Sequence, residues 1–65
     1  MAGGMMGWWV VTNLGTVKVY ANSVDQAKNR AKWKAAHARF VFRNKAEELT
    51  AVRECEVMSV TRAER

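Results

Sequence analysis

The chain has no proline, one cysteine and one histidine in 65 residues. One cysteine cannot close an intramolecular disulfide, and one Cys with one His falls short of the three or four ligands of a zinc site. Neither staple that usually holds small domains together is therefore at hand. With no proline, no repeat and no low-complexity stretch, nothing marks a domain boundary, so the expectation is a leader over 1–7 followed by one small domain over 8–65. No apolar run reaches the roughly 20 residues that cross a bilayer, and Met1 to Gly7 lacks the charged start and long apolar stretch of a signal peptide. A cytosolic location and no membrane partner are the expectation. Acidic residues are scarce as well: six Asp plus Glu stand against eleven Lys plus Arg, a net charge of +5. That balance suits contact with nucleic acid or with an acidic protein surface. A chain of this length buries only about 60% of the surface its unfolded form exposes, so its core is marginal and a partner or self-association would help it.

What the sequence does contain is a sharp change of period. Val17, Val19 and Ala21 alternate with Lys18 and Tyr20, the period-two pattern of a strand with one buried face. The spacing then becomes helical, and Ser23 is the switch. Its hydroxyl can accept from a first-turn N–H while Gln26 reaches back to the Ser23 N–H, a capping box, and Asp25 adds a favourable charge at the positive end of the helix dipole. From Val24 to about Ala38, the residues Val24, Ala27, Ala31, Ala35 and Ala38 share one side of the wheel, a stripe of small side chains that lets the helix lie close on a sheet. Ala36 is off that stripe. Trp8 to Thr12 reads as the first strand, and Asn13 to Thr16 carries turn residues that make a hairpin with Val17 to Ala21. Segment 39–49 reads equally as a helix end, a short strand, a helical turn or a loop. A last strand is expected within Thr50 to Thr61, where apolar residues mix with charges without clean alternation, the sign of a bulge or an edge position. The order strand, strand, helix, strand predicts an α+β fold (ββαβ), a three-stranded antiparallel sheet with one helix packed on one face.

The spacing of these residues resembles that of the small early proteins by which some lytic coliphages inhibit host RNA polymerase. The match runs through Trp9 and Val11, then Val17 to Ala27, Ala31 and Trp33, and resumes at Thr50, Val52, Arg53 and Cys55, about half of the chain. The resemblance implies a three-stranded antiparallel sheet with one helix, no catalysis, a phage-encoded protein of the host cytoplasm, and binding to the jaw region of the polymerase, where promoter DNA is kept from loading. It also implies two binding arginines in the last strand and an acidic strip on the helix side. Arg53 matches one arginine and Ala51 stands at the other, while Gln26, Asn29 and Lys32 occupy the acidic positions.

Read from the residues themselves, the contact surface is basic and aromatic. Lys28, Arg30, Lys32, Lys34 and Arg39 surround the helix faces that the alanine stripe leaves free, and Trp33 with Phe40 lies almost opposite the stripe. Trp33 then faces water or a partner unless the segment after the helix folds over it. Trp8 and Trp9 are adjacent, so they point to opposite faces of a strand and only one enters the core. The other, with Tyr20 and parts of the last strand, lines an open sheet face on which a second copy could pair or a partner dock. Met1, Met5 and Met6 are candidates to cover it. The partner-binding set is thus Arg53, Trp33, Lys28, Arg30, Lys32, Lys34, Trp8 and Tyr20. Enzymatic patterns are missing. Cys55 and His37 have nothing that brings them to one cleft, Gly3-Gly4 and Gly7 precede the first strand and lack the Lys-Ser/Thr of a phosphate loop, and no cofactor box or metal set is visible. The expectation is a non-enzymatic binding protein that blocks a host complex, RNA polymerase first. The alternatives are a nucleic-acid binder using helix 24–39 and a virion structural or assembly subunit.

Overall fold

Asn13 and Leu14 turn the chain back on itself, and everything else is registered from that turn. The computed structural model describes residues 5–63, and in it strand β1 (Met6–Thr12) pairs antiparallel with strand β2 (Gly15–Ala21), Thr12 facing Gly15 across the turn. The turn is pinned by the buried Thr12 hydroxyl, which donates to the Gly15 carbonyl at 2.7 Å and accepts from the Leu14 N–H at 3.0 Å. Gly15 has φ +129°, a region that only glycine enters without strain. The hairpin runs into helix α1 (Val24–Arg39), then helix α2 (Lys45–Glu54), then strand β3 (Val57–Arg62), which pairs antiparallel with the other side of β1. The element order is therefore ββααβ, with two helices where ββαβ with one helix was expected, and the sheet order is β2-β1-β3.

Parity within β1 decides the core. Trp8 faces Val19 and Val10 faces Val17, so the side of β1 carrying Trp8, Val10 and Thr12 shares a face with the buried residues of β2. Helix α1 lies on that face and closes a core of Trp8, Val10, Val19, Ala21, Ala27 and Ala31. Trp8 can be buried because its indole N–H has a partner, the Ala21 carbonyl at 3.0 Å. Helix α2 packs on α1 and not on the sheet. Val52 and Cys55 are buried at its C-terminal end, and so are Ala35 and Ala36 of α1.

The three-stranded antiparallel sheet with α1 on one face agrees with the expected arrangement, and α1 begins at the expected cap. Ser23 Oγ accepts from Gln26 N at 3.2 Å. The reciprocal bond is displaced by one residue, Gln26 Oε1 accepting from Asn22 N at 2.7 Å. Four expectations are corrected. The expected last strand from Thr50 begins only at Val57, because Lys45–Glu54 is helical under its own cap: Asn44 Oδ1 accepts from Glu47 N and Glu47 Oε1 from Arg43 N, both at 3.0 Å. Segment 39–49 therefore divides into a short connection and the start of α2. Ala36 is fully buried although it is off the stripe, because α2 covers a side of α1 that does not face the sheet, while Val24 and Ala38 at the two ends of the stripe are exposed. The leader is shorter than 1–7, since Met6 and Gly7 already pair in β1 with Ala21 and Tyr20; Met1 lies outside the described residues. Met6 packs against the core cluster and so lies away from the open face of the sheet, while Met5 Sδ accepts from the Arg30 guanidinium at 3.7 Å. The irregularity expected in the last strand is present: β3 is an edge strand whose register shifts where Val11 gives way to Thr12.

Candidate nucleic-acid interface

The uncovered face of the sheet is built by the opposite parity, Trp9 and Val11 of β1, Lys18 and Tyr20 of β2, and Ser59 and Thr61 of β3. Trp9 is 47% exposed and Tyr20 55%, whereas Trp8 retains 6% of its surface. The exposed member of the tryptophan pair is therefore Trp9, and Trp8, named from sequence among the contact residues, belongs to the core. Lys18 lies between the two rings, its Nζ 5.8 Å from the Trp9 centroid and 5.5 Å from that of Tyr20. These are cation–π distances, worth about 0.5–1 kcal/mol at exposed sites. Both side chains lie close to Gly7, where a Cβ would meet Lys18 Cε at 3.3 Å and Tyr20 Cε1 at 3.4 Å. No strand contains an Asp or Glu, and their charged residues are Lys18 and Arg62. Arg62 of β3 pairs with Trp8 of β1, its guanidinium 5.9 Å from that ring, beside the core.

Basic charge continues around the β2 edge onto α1. Lys34 Nζ donates to the Lys18 carbonyl at 2.6 Å, and Arg30 Nη1 to the Tyr20 carbonyl at 3.1 Å. Carbonyls that an edge strand would leave open are thus capped by two cations, a device that also discourages a second strand from adding there. Lys28 and Lys32 form neither hydrogen bonds nor ion pairs among the described residues, so their ammonium groups stay available. Acidic side chains gather elsewhere. Between Lys18 and Arg43 the chain has seven Lys plus Arg and one acid, Asp25, while between Lys45 and Glu56 it has four Glu and two bases.

Trp33 does not join the sheet face. It is half-buried on α1, stacked at 6.3 Å on His37, which meets Phe42 edge-on at 5.3 Å, and His37 Nε2 lies 2.5 Å from Glu48 Oε2. The segment after α1 does fold back, and Trp33 is part of the joint between the helices. Arg53 lies on α2 and not in a strand, so the strand geometry expected of its guanidinium is absent. The structure thus brings Lys18, Tyr20, Arg30 and Lys34 to one edge of the sheet, places Lys28 and Lys32 on the other flank of α1, and separates Trp8, Trp33 and Arg53 from the edge. Trp9 and Gly7 are the residues that sequence reasoning left out of the contact set. A further groove of about 550 Å³ opens between the Asn13-Leu14 turn, Phe40 to Phe42 and α2, lined by apolar groups that include Leu14, Phe40, Val41 and Ala51. Among the described residues no three His, Cys, Asp or Glu side chains are grouped as a metal site would require. No protein-family model, curated protein or solved structure matches the chain.

Proposed function

We propose that the protein is a non-enzymatic binding protein whose partner is nucleic acid. The observation that carries this reading is the segregation of charge: seven cations and one carboxylate between Lys18 and Arg43, on β2, α1 and the connection that follows, with four of the five glutamates on α2 and at its end. A polyanion is attracted to such a surface by release of its condensed counterions, and affinity then falls steeply with salt. Lys28→Gln combined with Lys32→Gln removes two available ammonium groups without touching a described hydrogen bond. Anisotropy titrations of labelled DNA and RNA at several salt concentrations should show the log–log slope flattening by about one unit for each phosphate that is no longer neutralised. Arg30 and Lys34 respond differently, since their heads also hold β2, and replacing them costs stability as well as binding. The reading fails if neither single- nor double-stranded nucleic acid binds at low salt.

A second reading is kept for a specific reason. The hairpin, the Ser23 cap and α1 laid on one face of a three-stranded antiparallel sheet support the resemblance to coliphage RNA polymerase inhibitors, although α2 departs from the single helix it implies. In that reading the protein is phage-encoded and blocks host transcription, with Arg53 offering a planar five-donor guanidinium to a carboxylate of the polymerase from α2. Arg53→Lys keeps the charge and removes the fork, so it should weaken inhibition of transcription in vitro as much as Arg53→Ala does. Full inhibition by both variants, or none by the unaltered protein, removes this reading.

A further inference from the structure

We infer that the uncovered sheet face is a stacking platform for single-stranded nucleic acid, with Trp9 and Tyr20 taking bases and Lys18 the phosphate between them. This deepens the nucleic-acid reading and rests on it.

The face presents two aromatic rings on neighbouring strands. Tyr20 pairs with Gly7 and Lys18 with Trp9, so Trp9 and Tyr20 are diagonal neighbours, a relation that puts backbones about 7–8 Å apart. Aromatic rings set out in that way on an open sheet can each stack on one base of an extended strand, whereas a duplex keeps its base faces covered by its own stacking. Lys18 Nζ stands 5.8 Å from the Trp9 centroid and 5.5 Å from that of Tyr20, so its flexible stem can carry the ammonium to a phosphate between two bases stacked on those rings. Gly7 lets the Lys18 and Tyr20 side chains lie against its backbone, where a Cβ would stand 3.3 Å from Lys18 Cε and 3.4 Å from Tyr20 Cε1. The surroundings also favour an anion over an apolar partner. The strands lack carboxylates, Ser59 and Thr61 add exposed hydroxyls to the β3 side of the face, and Arg30 and Lys34 continue the positive charge over the β2 edge. A second copy stacked face to face would instead oppose Lys18 to its twin with no acidic residue on the strands to neutralise it.

The test uses a labelled oligothymidylate of about 12 nucleotides, within the span of known single-strand sites, and a mixed-sequence duplex of equal length. The expected result is tighter binding of the single strand. Trp9→Leu and Tyr20→Leu should each lower single-strand affinity about tenfold or more while leaving duplex affinity nearly unchanged, because leucine keeps the apolar bulk but has no ring to stack. Trp9→Phe should restore much of the loss, and far-UV circular dichroism of each variant checks that the sheet persists. If Trp9→Leu binds the single strand as well as the parent does, while the Lys28→Gln, Lys32→Gln pair weakens it, the platform is overturned and the nucleic-acid reading stands. Absence of binding to both oligonucleotides overturns both. A concentration-dependent dimer in sedimentation that Trp9→Lys disperses, with no response to oligonucleotide, overturns the platform and assigns the face to a second copy.

Discussion

Trp8→Ala is expected to leave the protein unfolded at 25 °C, while Trp9→Ala, one residue along, leaves it folded. Trp8 retains 6% of its surface, packs with Val10, Val19, Ala21, Ala27 and Ala31, and donates its indole N–H to the Ala21 carbonyl. Removing a buried tryptophan side chain costs about 3–5 kcal/mol in lost transfer energy and cavity. The Ala21 carbonyl loses its buried donor as well, a further penalty of about 1–3 kcal/mol unless water reaches it. A core of this size rarely supplies more than about 3–5 kcal/mol in total, so the loss equals or exceeds what there is to lose. Trp9 has about half its surface in water already, and no cavity forms when it is cut back. Far-UV circular dichroism with a urea titration checks both: no cooperative transition for Trp8→Ala, and a midpoint near the parent's for Trp9→Ala. A folded Trp8→Ala beside an unfolded Trp9→Ala would mean that the faces of β1 are assigned the wrong way round.

Ala36→Leu is expected to destabilise as much as Ala31→Leu, and Ala38→Leu to be close to neutral. Ala31 faces the sheet core and Ala36 does not, standing about half a turn around α1 from Ala27 at about 100° per residue. Both are nevertheless fully buried, because α1 is covered by the sheet on one side and by α2 on another. Enlarging either side chain to leucine overpacks an interface built at alanine distance, typically at a cost of about 1–3 kcal/mol. In a domain this small each kcal/mol lowers the melting temperature by about 4–8 °C, so both shifts are easily read. Ala38 is exposed, and leucine there adds surface without meeting a neighbour. A neutral Ala36→Leu would mean that α2 does not pack on α1 in solution.

The difference between Ala36 and Ala38 marks how far the sequence could be read. Where one face meets one neighbour, period and caps were enough: Val17, Val19 and Ala21 alternate, Ser23 caps, and α1 and β2 fall where the pattern puts them. The small-residue stripe was half right because it presumed a single packing partner. A helix between two neighbours buries two stripes, and with alanine on both the wheel shows no clear boundary. Helix α2 was legible in principle. Asn44-x-x-Glu47 repeats the grammar of Ser23-x-x-Gln26, and both caps are satisfied in the same way, with the third residue reaching back to the N–H before the cap. What obscured it was Thr50 and Val52, β-branched residues that read as the start of a strand, and the spacing of Thr50, Val52, Arg53 and Cys55 shared with the phage inhibitors. Burial of Val52 and Cys55 at the end of α2 outweighs that weak local preference.

The sheet face was legible to within one residue. Trp8-Trp9-Val10-Val11 is apolar on both parities, so alternation alone cannot choose the inward tryptophan. The turn chooses it. With Asn13 and Leu14 as a two-residue loop, Thr12 pairs with Gly15 and Trp8 with Val19, which places Trp8 inward and Trp9 outward beside Lys18. The approach of Lys18 to both rings and to Gly7 then depends on cross-strand neighbours, which no linear pattern displays.

The most direct measurement is a ¹H–¹⁵N correlation spectrum of the labelled protein titrated with oligothymidylate at low salt. The three tryptophans give three indole N–H resonances at distinct places: Trp8 in the core bonded to Ala21, Trp9 on the open face, and Trp33 at the joint of the helices. Saturable shifts of the Trp9 indole and of the Gly7, Lys18 and Tyr20 amides, with Trp8 and Trp33 unmoved, are the predicted result. Shifts confined to Trp33 and the helices, or none at any concentration of oligonucleotide, would contradict it.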